Sequence, residues 1–165
     1  MKTIKVLLSK YNDRASRFVY FCSGLRGYTH ASLALEDYPD EFFSFNRRGF
    51  IIETPEKCRR HGVQSCRMYE MEVSDEVYEK IHSQIETMRS NRKDYHYSVV
   101  TMLAALLRIP YQRKQHYVCS TFVADILHNS GALQLRRAPS ITIPNDFPQL
   151  MSAVSQLKSI ISTPF

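Results

Sequence analysis

Cys119 is the residue of this sequence best suited to covalent chemistry, because it begins a segment with a helical pattern. Apolar residues after it recur at the three-and-four spacing that lines one face of a helix, namely Phe122, Val123, Ile126 and Leu127. Gly131 then supplies the positive φ that favours a helix end. Cys119 is therefore predicted in a first helical turn, where unpaired N–H groups favour the nucleophilic thiolate. The alternative is a small, buried cysteine with no chemical role.

A nucleophilic cysteine needs a base within hydrogen-bonding reach, and His30 is the best candidate among the six histidines. It begins a segment, residues 28–36, in which apolar residues alternate with small or polar ones, as in a β-strand. Ser32 and Ala34 share its predicted face and leave room beside the imidazole. A strand also holds a side chain rigidly, as a general base requires. A histidine with a purely structural role is the alternative.

The patterns around these two residues predict a run of strands framed by helices, which is an α+β domain. Strands are expected at 3–8, 28–36, 41–46, 50–53 and 66–73. Helices are expected from Asn12 or Asp13 to 22, from Ser74 to 91, at 97–107, from 119 onward, and from 145 or 146 to 157. The helix at 97–107 is apolar on nearly all sides, so we expect it in the centre of the core.

Two sequence segments resemble the circularly permuted branch of the NlpC/P60 papain-like superfamily. They are Tyr-Thr-His-Ala-Ser-Leu-Ala-Leu at 28–35 and Tyr-Val-Cys-Ser-Thr-Phe-Val at 117–123. In that branch the histidine strand precedes the cysteine helix, the reverse of the order in papain. The resemblance extends from about Ile4 to Phe147. It implies a papain-like α+β fold with an antiparallel sheet packed against helices, formed by residues 1–165 as one domain.

The same resemblance implies a third polar residue that orients the histidine from the next strand. Hairpin pairing makes that strand 41–46, on which Ser44 lies nearest the equivalent position. Asn46 lies on the same predicted face, and Glu36 is a further candidate at the far end of the histidine strand. Serine departs from the family's usual histidine, asparagine, glutamine or acid, so the third residue stays open among Ser44, Asn46 and Glu36.

The implied reaction is acyl transfer. Cys119 attacks the carbonyl of an amide, peptide or ester, His30 manages the protons, and the backbone N–H of Cys119 stabilises the oxyanion. Water or another acceptor then resolves the thioester, so hydrolase and acyltransferase both remain open. No cofactor is implied, and the expected partner is a small-molecule or peptide substrate. The alternative is a papain-like fold that serves as a non-enzymatic binding module.

Composition narrows the remaining classes. The net charge is +6, but the basic residues occur as scattered pairs such as Arg47-Arg48, so no nucleic-acid partner is expected. No signal peptide and no membrane span is expected, which predicts a cytoplasmic protein with reduced cysteines. Cys58, His61 and Cys66 offer an irregular set of zinc ligands as a rival site. The oligomeric state is not readable from the sequence.

Overall fold

The computed structural model describes residues 1–12, 14–22, 24, 27–63, 65–155 and 157–162. Over these residues the chain forms the following strands and helices: β1 (Lys2–Ser9), α1 (Arg14–Cys22), β2 (His30–Leu35), β3 (Phe42–Asn46), β4 (Gly49–Glu53), α2 (Pro55–Arg60), β5 (Cys66–Val73), α3 (Asp75–Ser90), β6 (His96–Tyr97), α4 (Val99–Leu106), β7 (His116–Tyr117), α5 (Cys119–Ser130), α6 (Phe147–Ser152) and β8 (Leu157–Ile161). Of the two caps predicted for α1, Asp13 lies outside the described residues.

The main sheet has six strands in the order β4-β3-β2-β1-β5-β8, and every neighbouring pair is antiparallel. Helices pack on it, with α5 against β2 and β3 and α3 against β1 and α5. The predicted α+β class with an antiparallel sheet is therefore confirmed. The short strands β6 and β7 pair separately and in parallel, just before α4 and α5.

The core lies between one face of this sheet and helices α3 and α5. Phe122 of α5 is fully buried, with its ring 5.2 Å from that of Phe45 and 6.0 Å from that of Phe50. The Ser74 hydroxyl accepts from Val77 N–H, so α3 begins at the predicted cap. These two helices fill the space above the sheet, and that leaves α4 outside it.

The prediction that α4 lies in the centre of the core is wrong. Only Thr101 and Ala105 of this helix are buried. It packs through one side against β7 and a 3-10 turn at Pro139–Ile141. The opposite side, including Val100 and Leu103, is exposed. The apolar composition of a helix alone does not show whether that helix packs on the sheet.

Two further segments differ from the prediction. Residues 55–60, where neither a strand nor a helix is predicted, form α2, whose Thr54 cap and Pro55 at the first position are a recognisable start signal. The last helix ends at Ser152 rather than near Leu157, and β8 follows it. Strand β5 has an open edge there, and an added strand satisfies its backbone groups.

Among the described residues, no helix combines the length and the apolar character needed to cross a lipid bilayer.

Candidate active site

Helix α5 presents Cys119 as its first residue, as predicted. Val118 before it is extended, and its backbone N–H donates to Thr121 Oγ1 at 3.1 Å. The hydroxyl of Tyr117 donates to Asp125 Oδ2 at 3.0 Å, which ties the preceding strand to the second turn of the helix. Gly131 ends the helix with φ of 87°. Cys119 is thus held between a braced strand and the most buried helix of the fold.

His30 stands at the first position of β2, opposite Ser9 of β1. Its side chain is nearly buried, with 10% of its surface exposed. The imidazole and the Cys119 side chain line the same cavity, and Cys119 acts electrostatically on the imidazole. Nε2 lies 2.8 Å from Glu53 Oε2, so the other ring nitrogen, Nδ1, is the one available to the thiol. The structure therefore brings together the two residues singled out from the sequence, and adds a carboxylate.

The register of the sheet explains why Glu53 reaches the histidine. Leu33, Phe43 and Ile52 stand side by side on β2, β3 and β4, and all three contribute to the main core. Alternate residues of a strand face opposite sides. His30 and Glu53 therefore both face away from that core, on the same side of the sheet.

Small side chains separate the two residues on that face. Ser32 of β2 and Ser44 of β3 are both fully buried there. With no bulky group between them, the long Glu53 side chain passes over β3 to a histidine on a strand that is not its neighbour. The sequence did carry a signal, since Glu53 is the acid in an otherwise apolar strand. The alternation of side chains along that strand places it on the face opposite to Ile52.

Tyr11, just after β1, supports the carboxylate from the other side. Its hydroxyl donates to Glu53 Oε1 at 2.8 Å and lies 3.5 Å from Cys58 Sγ. Its ring meets that of His30 edge to face, with centroids 4.9 Å apart. Its backbone N–H donates to Thr29 Oγ1 at 3.1 Å. Both oxygens of Glu53 are therefore bonded, which fixes the carboxylate in one orientation.

The electrostatics of the pair favour its charged form. Burial lowers the pKa of His30, but the charges of Glu53 and then Cys119 outweigh it and hold that pKa well above 6.5. Burial raises the pKa of Glu53, but the imidazolium and the hydrogen bonds from His30 and Tyr11 bring it below the ordinary value of 4.5. The site can thus keep a protonated imidazole next to the Cys119 sulfur.

None of the three predicted orienting residues contacts the His30 ring. The Ser44 hydroxyl donates to the Ala31 carbonyl at 2.6 Å. Asn46 accepts from Arg48 N–H in the turn after β3, and Glu36 accepts from Thr3 N–H at the far end of the sheet. The carboxylate that bonds to the His30 ring is that of Glu53, one strand further along, so the geometry favours Glu53 over Ser44, Asn46 and Glu36 as the residue that orients the ring.

A cavity of about 420 Å³ opens beside the pair, with both His30 and Cys119 in its lining. Apolar side chains in its lining come from α1, β3, α4 and the segment before α6: Val19, Phe45, Met102, Ala105, Leu106, Ile143 and Pro144. Arg14, Arg47 and Arg48 also line it, and no carboxylate does among the described residues. The cavity has room for an apolar group next to the Cys119 sulfur.

The rival zinc set does not assemble. Among the residues that the structure describes, no group of three or more histidine, cysteine or acidic side chains is placed to hold a metal ion. Cys58 is buried against the Tyr11 hydroxyl, and burial raises the pKa of its thiol. The fourth cysteine, Cys22, is exposed at the end of α1.

Comparison with known proteins adds no assignment: no protein-family model matches the chain, and no curated protein matches its sequence. What the chain does must therefore be argued from the geometry of Cys119, His30 and Glu53.

Proposed function

We propose that the protein is a papain-like cysteine hydrolase or acyltransferase with Cys119 as nucleophile, His30 as general base and acid, and Glu53 as the residue that positions His30. The observation that carries the proposal is that Cys119 and His30 line the same largely apolar cavity, while His30 is hydrogen-bonded to Glu53 and interacts electrostatically with Cys119. A nucleophile, a base and an orienter within bonding reach of one another are the parts that covalent acyl transfer needs.

The reaction follows from these positions. The Cys119 thiol passes its proton to His30, and the resulting thiolate attacks the carbonyl carbon of a bound amide or ester, so that the electron pair of the carbonyl moves to its oxygen. The backbone N–H of Cys119, in the first turn of α5, stabilises that oxyanion. His30 then donates its proton to the leaving amine or alkoxide, and a thioester remains. Water, deprotonated by neutral His30, or another nucleophile releases the acyl group and restores the thiol.

Several features support a papain-like arrangement. The cysteine begins the central helix, the histidine begins a strand of an antiparallel sheet, and the histidine strand comes first in the chain. Glu53 satisfies the resemblance better than Ser44, because an acid is among the residues usual at the third position. The cavity favours acyl groups with an apolar part over strongly polar peptides.

The test is formation of an acyl-enzyme. Wild-type protein is incubated with 4-nitrophenyl esters of short and medium-length acids, and nitrophenol release and the mass of the intact protein are followed. We expect a mass increase of one acyl group on Cys119, and none in Cys119→Ala. His30→Ala should abolish acylation, and Glu53→Gln should slow it by about 10- to 100-fold. Ser44→Ala is the matched control and should acylate at nearly the wild-type rate.

The alternative of a non-enzymatic module predicts a different result. In that case Cys119 would not acylate with any ester tested, although the protein would remain folded. Hydrolase and acyltransferase are separated by adding a primary amine or alcohol, since an acyltransferase forms the new amide or ester while the rate of nitrophenol release stays the same or rises.

A further inference from the structure

Helix α4 has two faces with different surroundings, and both are largely apolar. Met102, Ala105 and Leu106 line the cavity. On the other side, Val100 and Leu107 are 58% and 70% exposed. Val99, Leu103 and Ile109 add to the exposed apolar area. A continuous apolar face of this kind on a surface helix marks a site of interaction.

Helix α1, which lines another part of the same cavity, repeats this arrangement. Ser16 and Val19 line the cavity, while Phe18 and Phe21 are 45% and 71% exposed. Two helices that wall the cavity thus both expose large apolar side chains to solvent. An aromatic ring exposed to this degree is costly unless something covers it.

The charges that flank α4 along the chain are mostly basic, and Arg108 at its end is paired with Asp146. From Tyr95 to Ala124 the sequence contains no aspartate or glutamate. Arg113 and Lys114 are exposed in the loop after α4. Arg47 and Arg48 are exposed in the turn between β3 and β4 and line the same cavity as Met102.

That turn lies beside the strand that precedes α4, because a Cβ on Gly49 would meet the Tyr95 carbonyl oxygen. The arginines of the turn therefore lie on the cavity side of α4, next to the segment that leads into this helix. Apolar side chains flanked by exposed cations fit an anionic lipid surface, in which acyl chains lie just below negatively charged head groups.

We propose that the exposed face of α4, with Phe18 and Phe21 of α1, binds the surface of an anionic lipid bilayer. Val100, Leu103 and Leu107 enter the boundary between head groups and acyl chains, and Arg113, Lys114, Arg47 and Arg48 bind the head groups. The helices lie on the membrane without crossing it, and the cavity wall is then at the lipid surface. This binding does not depend on the acyl chemistry proposed for Cys119.

The test is flotation of the full chain with vesicles of phosphatidylcholine alone and of phosphatidylcholine mixed with phosphatidylglycerol. We expect binding to the mixed vesicles to be about tenfold tighter or more, and to weaken as salt screens the charges. Val100→Gln with Leu107→Gln should weaken binding to mixed vesicles about tenfold. Both side chains are exposed, so the fold should survive, and thermal unfolding of the variant checks this.

Matched controls come from the opposite edge of the sheet. Ile160 of β8 is 51% exposed, a fraction similar to that of Val100. Ile160→Gln therefore removes a comparable apolar side chain and should leave binding unchanged. Arg113→Gln with Lys114→Gln should lower binding to mixed vesicles only, whereas Lys158→Gln on β8 should not.

Three results would overturn the proposal. The first is no binding of the wild-type chain to mixed vesicles at low salt. The second is equal binding of the Val100/Leu107 and Ile160 variants. The third is a concentration-dependent dimer, seen by sedimentation velocity, that is lost in the Val100/Leu107 variant and that vesicles do not dissociate. In that case a second copy of the chain would cover this face.

Discussion

The four cysteines allow access and reactivity to be separated at the level of single residues. Cys22 is exposed, Cys119 is partly exposed, and Cys58 and Cys66 are buried. If access alone decided the rate, iodoacetamide would alkylate Cys22 first. We expect Cys119 to react at least about tenfold faster than Cys22 at neutral pH, because it begins α5 and shares a cavity with the protonated His30. Peptide mapping of briefly alkylated protein measures both rates.

His30→Ala is the control for that comparison. It should slow alkylation of Cys119 while the rate at Cys22 stays the same. A Cys119 that is alkylated more slowly than Cys22 in the wild-type protein, with the pH profile of an ordinary thiol, would contradict the catalytic role.

The carboxylate of Glu53 should control the titration of His30. Burial lowers the pKa of His30, and Glu53 is the main group that opposes it and raises it. We therefore expect the ring protons of His30 to titrate well above pH 6.5 in the wild-type protein, as followed by NMR. In Glu53→Gln the burial effect dominates, so the midpoint should fall towards or below 6.5.

Ser44→Ala is again the matched control for the titration. Its hydroxyl bonds to a backbone carbonyl rather than to the ring, so the His30 midpoint should not move. Loss of that buried hydrogen bond should still cost about 1 kcal/mol of unfolding free energy. A shift of the His30 midpoint in Ser44→Ala, or none in Glu53→Gln, would show that the orienting residue has been misassigned.

At this scale the positions of Cys119 and His30 could be predicted, because each lies at the start of an element with a clear pattern. Glu53 was missed for a physical reason. Hairpin pairing places the orienter on the strand next to the histidine, whereas the orienter comes from the strand beyond. The small side chains of Ser32 and Ser44 let Glu53 reach across β3 to His30. That they lie between these two residues can be seen only when the register of three strands is known.

At the scale of the element, two glycines with nearly the same backbone angle have different surroundings. Gly49, at the start of β4, has φ of 90°, and a Cβ there would lie 2.3 Å from the Tyr95 carbonyl oxygen. Gly131, at the end of α5, has φ of 87° and open space around it. Gly131→Ala should thus cost only backbone strain, about 1 kcal/mol.

Gly49→Ala should cost more, about 3 kcal/mol, because β4 and the segment before β6 must also move apart. Urea unfolding of the two variants measures the difference. The Gly49→Ala variant should also be acylated more slowly than the wild-type protein, since β4 carries Glu53. Equal losses of stability would mean that the close approach of Gly49 to Tyr95 contributes nothing.

Caps made the start of α3 and the end of α5 predictable, whereas packing decided where α4 and β8 lie. Ser74 and Gly131 gave the ends of α3 and α5 correctly. The location of α4 depends on competition among three apolar helices for one sheet face. The change from α6 to β8 depends on the open edge of β5, which is far away in sequence. Neither kind of information is local, so periodicity could not supply it.

For the whole molecule, the series Tyr11–Glu53–His30 joins three separate parts of the chain. It links the segment after β1, the end of β4 and the start of β2, and Tyr11 also contacts Cys58 of α2. Breaking the His30–Glu53 pair should therefore affect global stability. We expect Glu53→Gln to lower the free energy of unfolding by about 3 kcal/mol near pH 5.5, as measured by chemical denaturation.

The pH dependence of this loss follows from the two pKa directions. Folding lowers the pKa of Glu53, so its contribution is present above 4.5 and is lost as pH falls through the lowered value. Folding raises the pKa of His30, so its contribution is present below 6.5 and is lost as pH rises through the raised value. The difference in unfolding free energy between wild type and Glu53→Gln should be largest between pH 4.5 and 6.5. It should become smaller below the lowered pKa of Glu53 and above the raised pKa of His30. A gap independent of pH would assign the loss to packing alone.

The cavity has one wall that is fixed and one that is free to change. Cys119 and His30 come from α5 and β2, which are buried in the core and tolerate few substitutions. Part of the facing wall comes from α4, of which only Thr101 and Ala105 are buried. Under the proposed function, mutations in α4 should therefore change substrate selectivity at little cost to stability. A directed-evolution library confined to Met102 and Leu106 would be the natural place to look for altered acyl-chain preference.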